Sequence, residues 1–258
     1  MEQVEQHNPA GRLHALVSRV IKQQRRMADK PCLQLWAAVF DLSLDRDEHE
    51  FATTLYEVIS RLLQIEKLID DTENGLRKID GLPDRYFRPF ERIRALPVQS
   101  LKSLSSNIAA TVNAISDGDM TVLEFCAERL EERHSERTID EQELALILEN
   151  VIILFNDVQQ SNLDVELKIF MLDNLESIRR GISEFRIRGP QRLKETLGEI
   201  IGTLAVNHEV IQATRNQDAG VVERFEKAFY RLAAVVSFAV DGPALLSAVK
   251  VLLLPSGG

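Results

Sequence analysis

The sequence predicts an all-α fold, an irregular multi-helix bundle of about nine to eleven helices with antiparallel central helices. Apolar residues recur three and four positions apart in one segment after another, the spacing of a helix face. Eight prolines and twelve glycines among 258 residues leave long stretches unbroken. The longest periodic stretch, residues 138–188, has recognisable start and stop signals.

Residues 1–11 read as a flexible lead-in, with Pro9 and Gly11 at its end. Residues 12–258 read as a single helical domain, with residues 75–97 as the place for a subdivision. The first helix is expected from about Arg12 to Ala28, with Leu13, Leu16, Val17 and Val20 inward. Arg12, Arg19, Lys22, Arg25, Arg26 and Lys30 make it the densest positive run in the chain. Pro31 suits the first position of a second helix carrying Leu33, Leu35 and Trp36, the one tryptophan and a core anchor. Asp45 with Glu48, or Asp47 with Glu50, can cap a long third helix whose stripe runs from Phe51 through Leu55, Val58, Leu62, Ile65 and Ile69, ending near Asn74-Gly75.

Residues 84–97 mix Tyr86, Phe87 and Phe90 with Arg85, Arg88, Arg92 and Arg94, between prolines at 83, 89 and 97. They read as a short helix packed through its aromatics with its arginines in water. A helix from Val98 to Ile115 is expected next, ended by Asp117-Gly118-Asp119, and then one from Met120 to Arg133 with an acidic outer side. In the central stretch, Leu144, Ile147, Leu148, Val151, Ile152, Phe155 and Val158 mark one core stripe. Leu163, Leu167, Phe170, Leu175, Ile178, Ile182 and Phe185 mark another. Thr138 with Glu141, or Asp140 with Glu143, starts the first helix. The polar run Gln159 to Asn162 separates the two, and Gly189-Pro190 stops the second.

Beyond Pro190, Leu193, Leu197, Ile200 and Leu204 define a helix in which Gly198 and Gly202 share a face, the spacing that admits a closely packed neighbour. Asn216 to Gly220 is a turn. A helix from Val222 to Ala239 follows, then Asp241-Gly242-Pro243 and an apolar segment, Ala244 to Leu254. Asp241, Pro243 and Lys250 argue for two short helices here instead of one membrane span.

An apolar content of 45% with 28% charged residues is that of a soluble globular protein, and a net charge of -9 opposes general coating of nucleic acid. Cys32 and Cys126 have no paired-cysteine or cysteine-histidine metal spacing, so both read as buried free thiols. No basic, apolar leader opens the sequence, so the expected localisation is cytoplasmic, with peripheral membrane association through the C-terminal segment.

Three groups of residues can carry function. Arg179, Arg180, Arg186, Arg188, Arg192 and Lys194 straddle a helix end and a helix start, where an anion or acidic partner would meet side chains and backbone N–H groups together. Val235, Val236, Phe238, Leu245, Leu246, Val249, Leu252 and Leu253 form an interaction or membrane surface if the C-terminal hairpin lies outside. Arg129 and His134, with four residues between them, are the one catalytic candidate: the histidine can exchange a proton while the arginine steadies phosphate charge. That pair resembles the arginine-histidine motif of the HEPN ribonucleases, and the resemblance implies metal-independent RNA cleavage. Leu130 stands where that family usually has a polar residue. Glu131 and His134 also have the spacing of a di-iron ligand pair, but no second such pair is present, and no metal or cofactor is expected.

The expected function is a non-enzymatic helical protein-interaction or regulatory subunit, with a protein partner or self-association. The alternatives are a membrane-active helical effector using the C-terminal hairpin and a ribonuclease of the HEPN type. Nucleic acid is the least expected partner.

Overall fold

The computed structural model describes residues 8–44, 48–133, 139–207, 219–239 and 247; the side chains of 48–50, 219 and 239 fall outside that description. Among the described residues there are ten α-helices, one 3-10 turn and no strand, an all-α multi-helix bundle as the periodicity predicts. The chain divides into two compact units. The first is Met1–Ser135 with Ile187–Gly189, and the second is Glu136–Arg186 with Pro190–Gly258. Residues 75–97 lie within the first of these units.

The first unit contains α1 (Pro9–Arg26), α2 (Cys32–Val39), α3 (Glu48–Arg77), a 3-10 turn (Asp84–Tyr86), α4 (Arg88–Lys102), α5 (Ala109–Asn113) and α6 (Asp117–Glu131). Helix α1 starts earlier than the apolar stripe indicates. The Asn8 side chain accepts from the Gly11 N–H at 3.0 Å and Pro9 takes the first helical position. Asn8 also donates to the Ala127 carbonyl and to Glu131, both at 3.0 Å, which fixes the start of α1 on α6. Residues 8–11 are therefore structured, while residues 1–7 of the expected lead-in lie outside the described residues.

Arg12 is not part of a solvated basic face. It is buried, and it donates to the carbonyls of Ile187 at 3.2 Å and Arg188 at 3.3 Å, the open C-terminal end of a helix. Gly189, at φ 64°, leaves room for it: a Cβ there would lie 2.5 Å from the guanidinium carbon. Trp36 is fully buried as expected, and its indole N–H donates to Ser100 at 2.7 Å. Burial pushes the Cys126 thiol up to about 12, and it raises that of Cys32 against hydrogen bonds with Ser100 and Trp36.

Further boundaries differ from the expected ones. The caps proposed at Asp45 and Asp47 lie outside the described residues. Helix α3 runs through Gly75, where the absent side chain admits Leu130; a Cβ would sit 3.1 Å from its methyl carbon. At the other end of its stripe, Phe51 is exposed. Helix α4 runs through Pro97, whose missing N–H and ring cost about 3 kcal/mol. Pro97 is buried beside Phe90, Ile93 and Leu96, which offset that cost. The expected helix over 98–115 breaks at Ser103, where hydroxyls bond one another and the carbonyls of Leu104 and Ser106 receive the N–H groups of Leu33 and Cys32. Asp117 and Asp119 start α6 instead of ending a helix: the Ser116 and Asp119 side chains each bond the other's backbone N–H.

The second unit contains α7 (Glu141–Gln160), most of α8 (Val165–Arg188), α9 (Pro190–Val206) and α10 (Ala219–Ala239). Its core joins Leu144, Ile147 and Val151 of α7 with Leu167, Leu175 and Ile178 of α8 and with side chains of α9 and α10. Helix α10 lies against α7 and α9. Gly198 and Gly202 admit no neighbour among the described residues: both are exposed, and a Cβ on either would meet none of them within 4 Å. The close approach occurs at Gly181 instead, where a Cβ would lie 2.5 Å from the Thr196 hydroxyl.

Candidate functional site

The α7–α8 hairpin is built from local signals. Asp140 caps α7 by accepting from the Gln142 N–H at 2.8 Å, while Thr138, the other proposed cap, lies outside the described residues. The chain leaves α7 at Ser161, and the Asp164 side chain accepts from Glu166 at the start of α8, two residues past the cap expected at Ser161 or Asn162. Glu141 at the start of α7 pairs with Arg186 near the end of α8 at 3.2 Å, so the two helices run antiparallel.

Between them is a cavity of about 160 Å³ with apolar walls from Val151, Ile152, Phe155 and Leu175. Asn156, Glu176 and Arg179 form its polar rim. The rim is held in one geometry, because Arg179 donates two hydrogen bonds to Glu176, at 2.7 and 2.8 Å. Those bonds hold the Glu176 carboxyl below its usual range, against the opposing effect of burial and with the charges of Arg179 and Arg180 assisting. Glu176 therefore stays ionised beside the apolar slot.

Helix α7 carries more apolar surface than the unit buries. Ile152, at the edge of the slot, is 49% exposed despite its place in the expected core stripe, and Ile153 is 50% exposed. Leu146 is exposed seven residues before Ile153, so the two share a flank about two turns apart. On α8, Val165 and Ile169 are exposed four residues apart, again on one face. The sequence did hold a signal for this. Apolar residues at 146, 147, 148, 151, 152, 153, 154 and 155 surround the helix, more than one inward stripe can use.

The six residues expected to bind an anion have different neighbours in the structure. Arg179 and Arg180 reach Glu176, and Arg186 reaches Glu141. Arg188 belongs to the first unit, is buried, and pairs with Asp71 at 3.1 Å. Arg192 is buried in the second unit against Glu184 at 2.6 Å, and Lys194 is exposed. Carboxylates thus engage five of the six.

For the C-terminal surface, Val236 is buried and Val235 half-buried in the core, so neither presents a free face; Phe238 is 67% exposed. Leu245, Leu246, Val249, Leu252 and Leu253 lie outside the described residues, as do the turn Asp241-Gly242-Pro243 and most of the expected last helix. No helix among the described residues is long and apolar enough to cross a membrane. Arg129 is exposed and pairs with Glu132 at 2.9 Å, while His134 lies outside the described residues. Leu130, the departure from the ribonuclease motif, is the core residue packed at Gly75. Among the described residues no three His, Cys, Asp or Glu side chains gather as a metal ion would require.

No protein-family model, curated protein or solved structure matches this chain.

Proposed function

We propose that the chain is a helical protein-interaction or regulatory subunit and that the α7–α8 hairpin is the surface it uses. The observation that carries this reading is the apolar slot between the helices with the half-exposed Ile152 at its edge. A helix that lays an apolar face into a groove needs a concavity for one side chain, apolar ground around it and a polar group to set its register. Val151, Phe155 and Leu175 supply the concavity, Ile152 the ground, and the fixed Glu176–Arg179 pair the polar reference. The partner is accordingly an amphipathic helix with an aliphatic anchor, from another protein or from a second copy.

Placing a charge on this surface tests the reading. Ile152→Asp places a carboxylate at the edge of the slot, at a position already half in water, so helix content and unfolding midpoint should stay near those of the parent. Affinity capture from the native cell with the two forms in parallel should yield a discrete partner for the parent and lose it for Ile152→Asp. Self-association would appear as a mass in light scattering that falls to the monomer's. Identical captures and identical masses for both forms would contradict the reading.

A further inference from the structure

The basic run of α1 remains unused by that hairpin, and the fold adds to it. Helix α1 ends, α2 begins and α4 ends at the same place in the first unit. The Asn107 side chain donates to the carbonyls of Ala28 and Lys30, the Cys32 N–H to Ser106 at 2.8 Å, and the Leu33 N–H to Leu104 at 2.9 Å. Lys22, Arg25, Arg26 and Lys30 are thereby joined by Lys102, which is distant in sequence. All five are exposed, and none forms an ion pair with a described residue.

The field at this end runs against that of the whole chain. The net charge is -9, yet residues 12–40 contain one acidic residue, Asp29, and residues 95–116 contain none. Elsewhere carboxylates engage the arginines, as at Arg92, Arg94, Arg188, Arg192 and Arg224. Compensation of the carbonyl end of α1 explains Arg25 and Arg26 in its last turn. It does not explain Lys22 one turn earlier, Lys30 beyond the helix, or Lys102 from α4.

We propose that this end of the first unit docks on the surface of an anionic phospholipid bilayer through Lys22, Arg25, Arg26, Lys30 and Lys102. Two observations favour lipid headgroups over nucleic-acid phosphates. Residues 22–33 and 98–107, which carry these cations, contain no aromatic residue on which a base could stack. The last turn of α4 instead exposes Val98 and Leu101, at 38% and 37%, next to Lys102. Cations with aliphatic neighbours suit an interface where charges meet headgroups and alkyl groups enter the boundary below them. The contact is peripheral and rests on charge, so salt weakens it.

Vesicle flotation of the full chain tests the proposal independently of the hairpin's function. Vesicles of phosphatidylcholine mixed with phosphatidylglycerol should carry the protein at low salt, and phosphatidylcholine alone should not. Each cation near an anionic surface is worth roughly a five-fold change in partition, so Lys22→Gln with Arg26→Gln should lower binding about 25-fold. Lys22→Arg with Arg26→Lys keeps both charges and should retain binding. No binding to the anionic vesicles would overturn the proposal, as would equal binding to neutral ones or unchanged binding by the doubly neutralised form. Preferential capture of duplex nucleic acid from a mixture with the anionic vesicles would overturn it in favour of a phosphate backbone.

Discussion

In the first unit, α1 is lined by α2, α3, α5 and α6, and Trp36 and Phe90 are enclosed. In the second, α7 packs its inward stripe and still leaves Leu146, Ile152 and Ile153 half in water. Charge is also distributed differently. The first unit gathers Lys22, Arg25, Arg26, Lys30 and Lys102 at one end, with Asp29 the one acid in those stretches of sequence. The second pairs Arg179, Arg180, Arg186, Arg192 and Arg224 with acids of its own. Each unit thus leaves a different property open: the first a group of exposed cations at one end, the second an apolar slot with half-exposed aliphatic side chains around it. An unsatisfied property is where a partner gains most, so the two units should recognise different chemistry.

The largest expected effect breaks the second unit from within. Arg192→Ala would leave Glu184, whose side chain is 1% exposed, as a buried charge without its closest partner. Loss of one member of a buried pair costs about 3–5 kcal/mol, which denaturant unfolding would register. Replacing both members by Met and Leu should recover most of it.

In the first unit the counterpart is Gly189. Gly189→Ala imposes an L side chain at φ 64° and drives its Cβ onto the Arg12 guanidinium. Gly81 has a similar φ of 74° but open space around it, so Gly81→Ala isolates the backbone cost of about 1–2 kcal/mol. The loss at Gly189 should exceed the loss at Gly81, and the difference reports the contact with Arg12. Equal losses would show that the contact carries no energy.

A smaller pair of effects differs in sign within one unit. Gly181→Ala overpacks Thr196 and should destabilise by about 1–3 kcal/mol. Gly198→Ala and Gly202→Ala enter open space on an exposed helix face and should each stabilise by about 0.5–1 kcal/mol, read as a rise in unfolding midpoint.

The glycines also show where sequence reasoning stopped. Spacing four apart at Gly198 and Gly202 is visible in a sequence, whereas the neighbour that makes a glycine necessary, Thr196 for Gly181 or Arg12 for Gly189, comes from the fold. Helices with a cap and a stop nearby were legible: Asp140 and Gly189-Pro190 bound the hairpin almost where the pattern places them. Pro97 misled because its local cost is certain while the compensating burial of α4 is not local. Arg12 and Arg188 misled in the same way, since charge in a sequence looks solvated until a carbonyl or Asp71 is brought to it. The apolar excess of α7 is visible in the sequence, whereas which of those side chains stay in water is decided by the packing of the unit.

The most direct measurement is site-specific photo-crosslinking in the native cell, with a photoreactive residue at position 152 and, as control, at position 198 on the exposed face of α9. The account predicts a discrete crosslinked species from 152, to another protein or to a second copy, and none from 198. The same species from both positions, or none from either, would contradict the claim that the α7–α8 hairpin is an interaction surface.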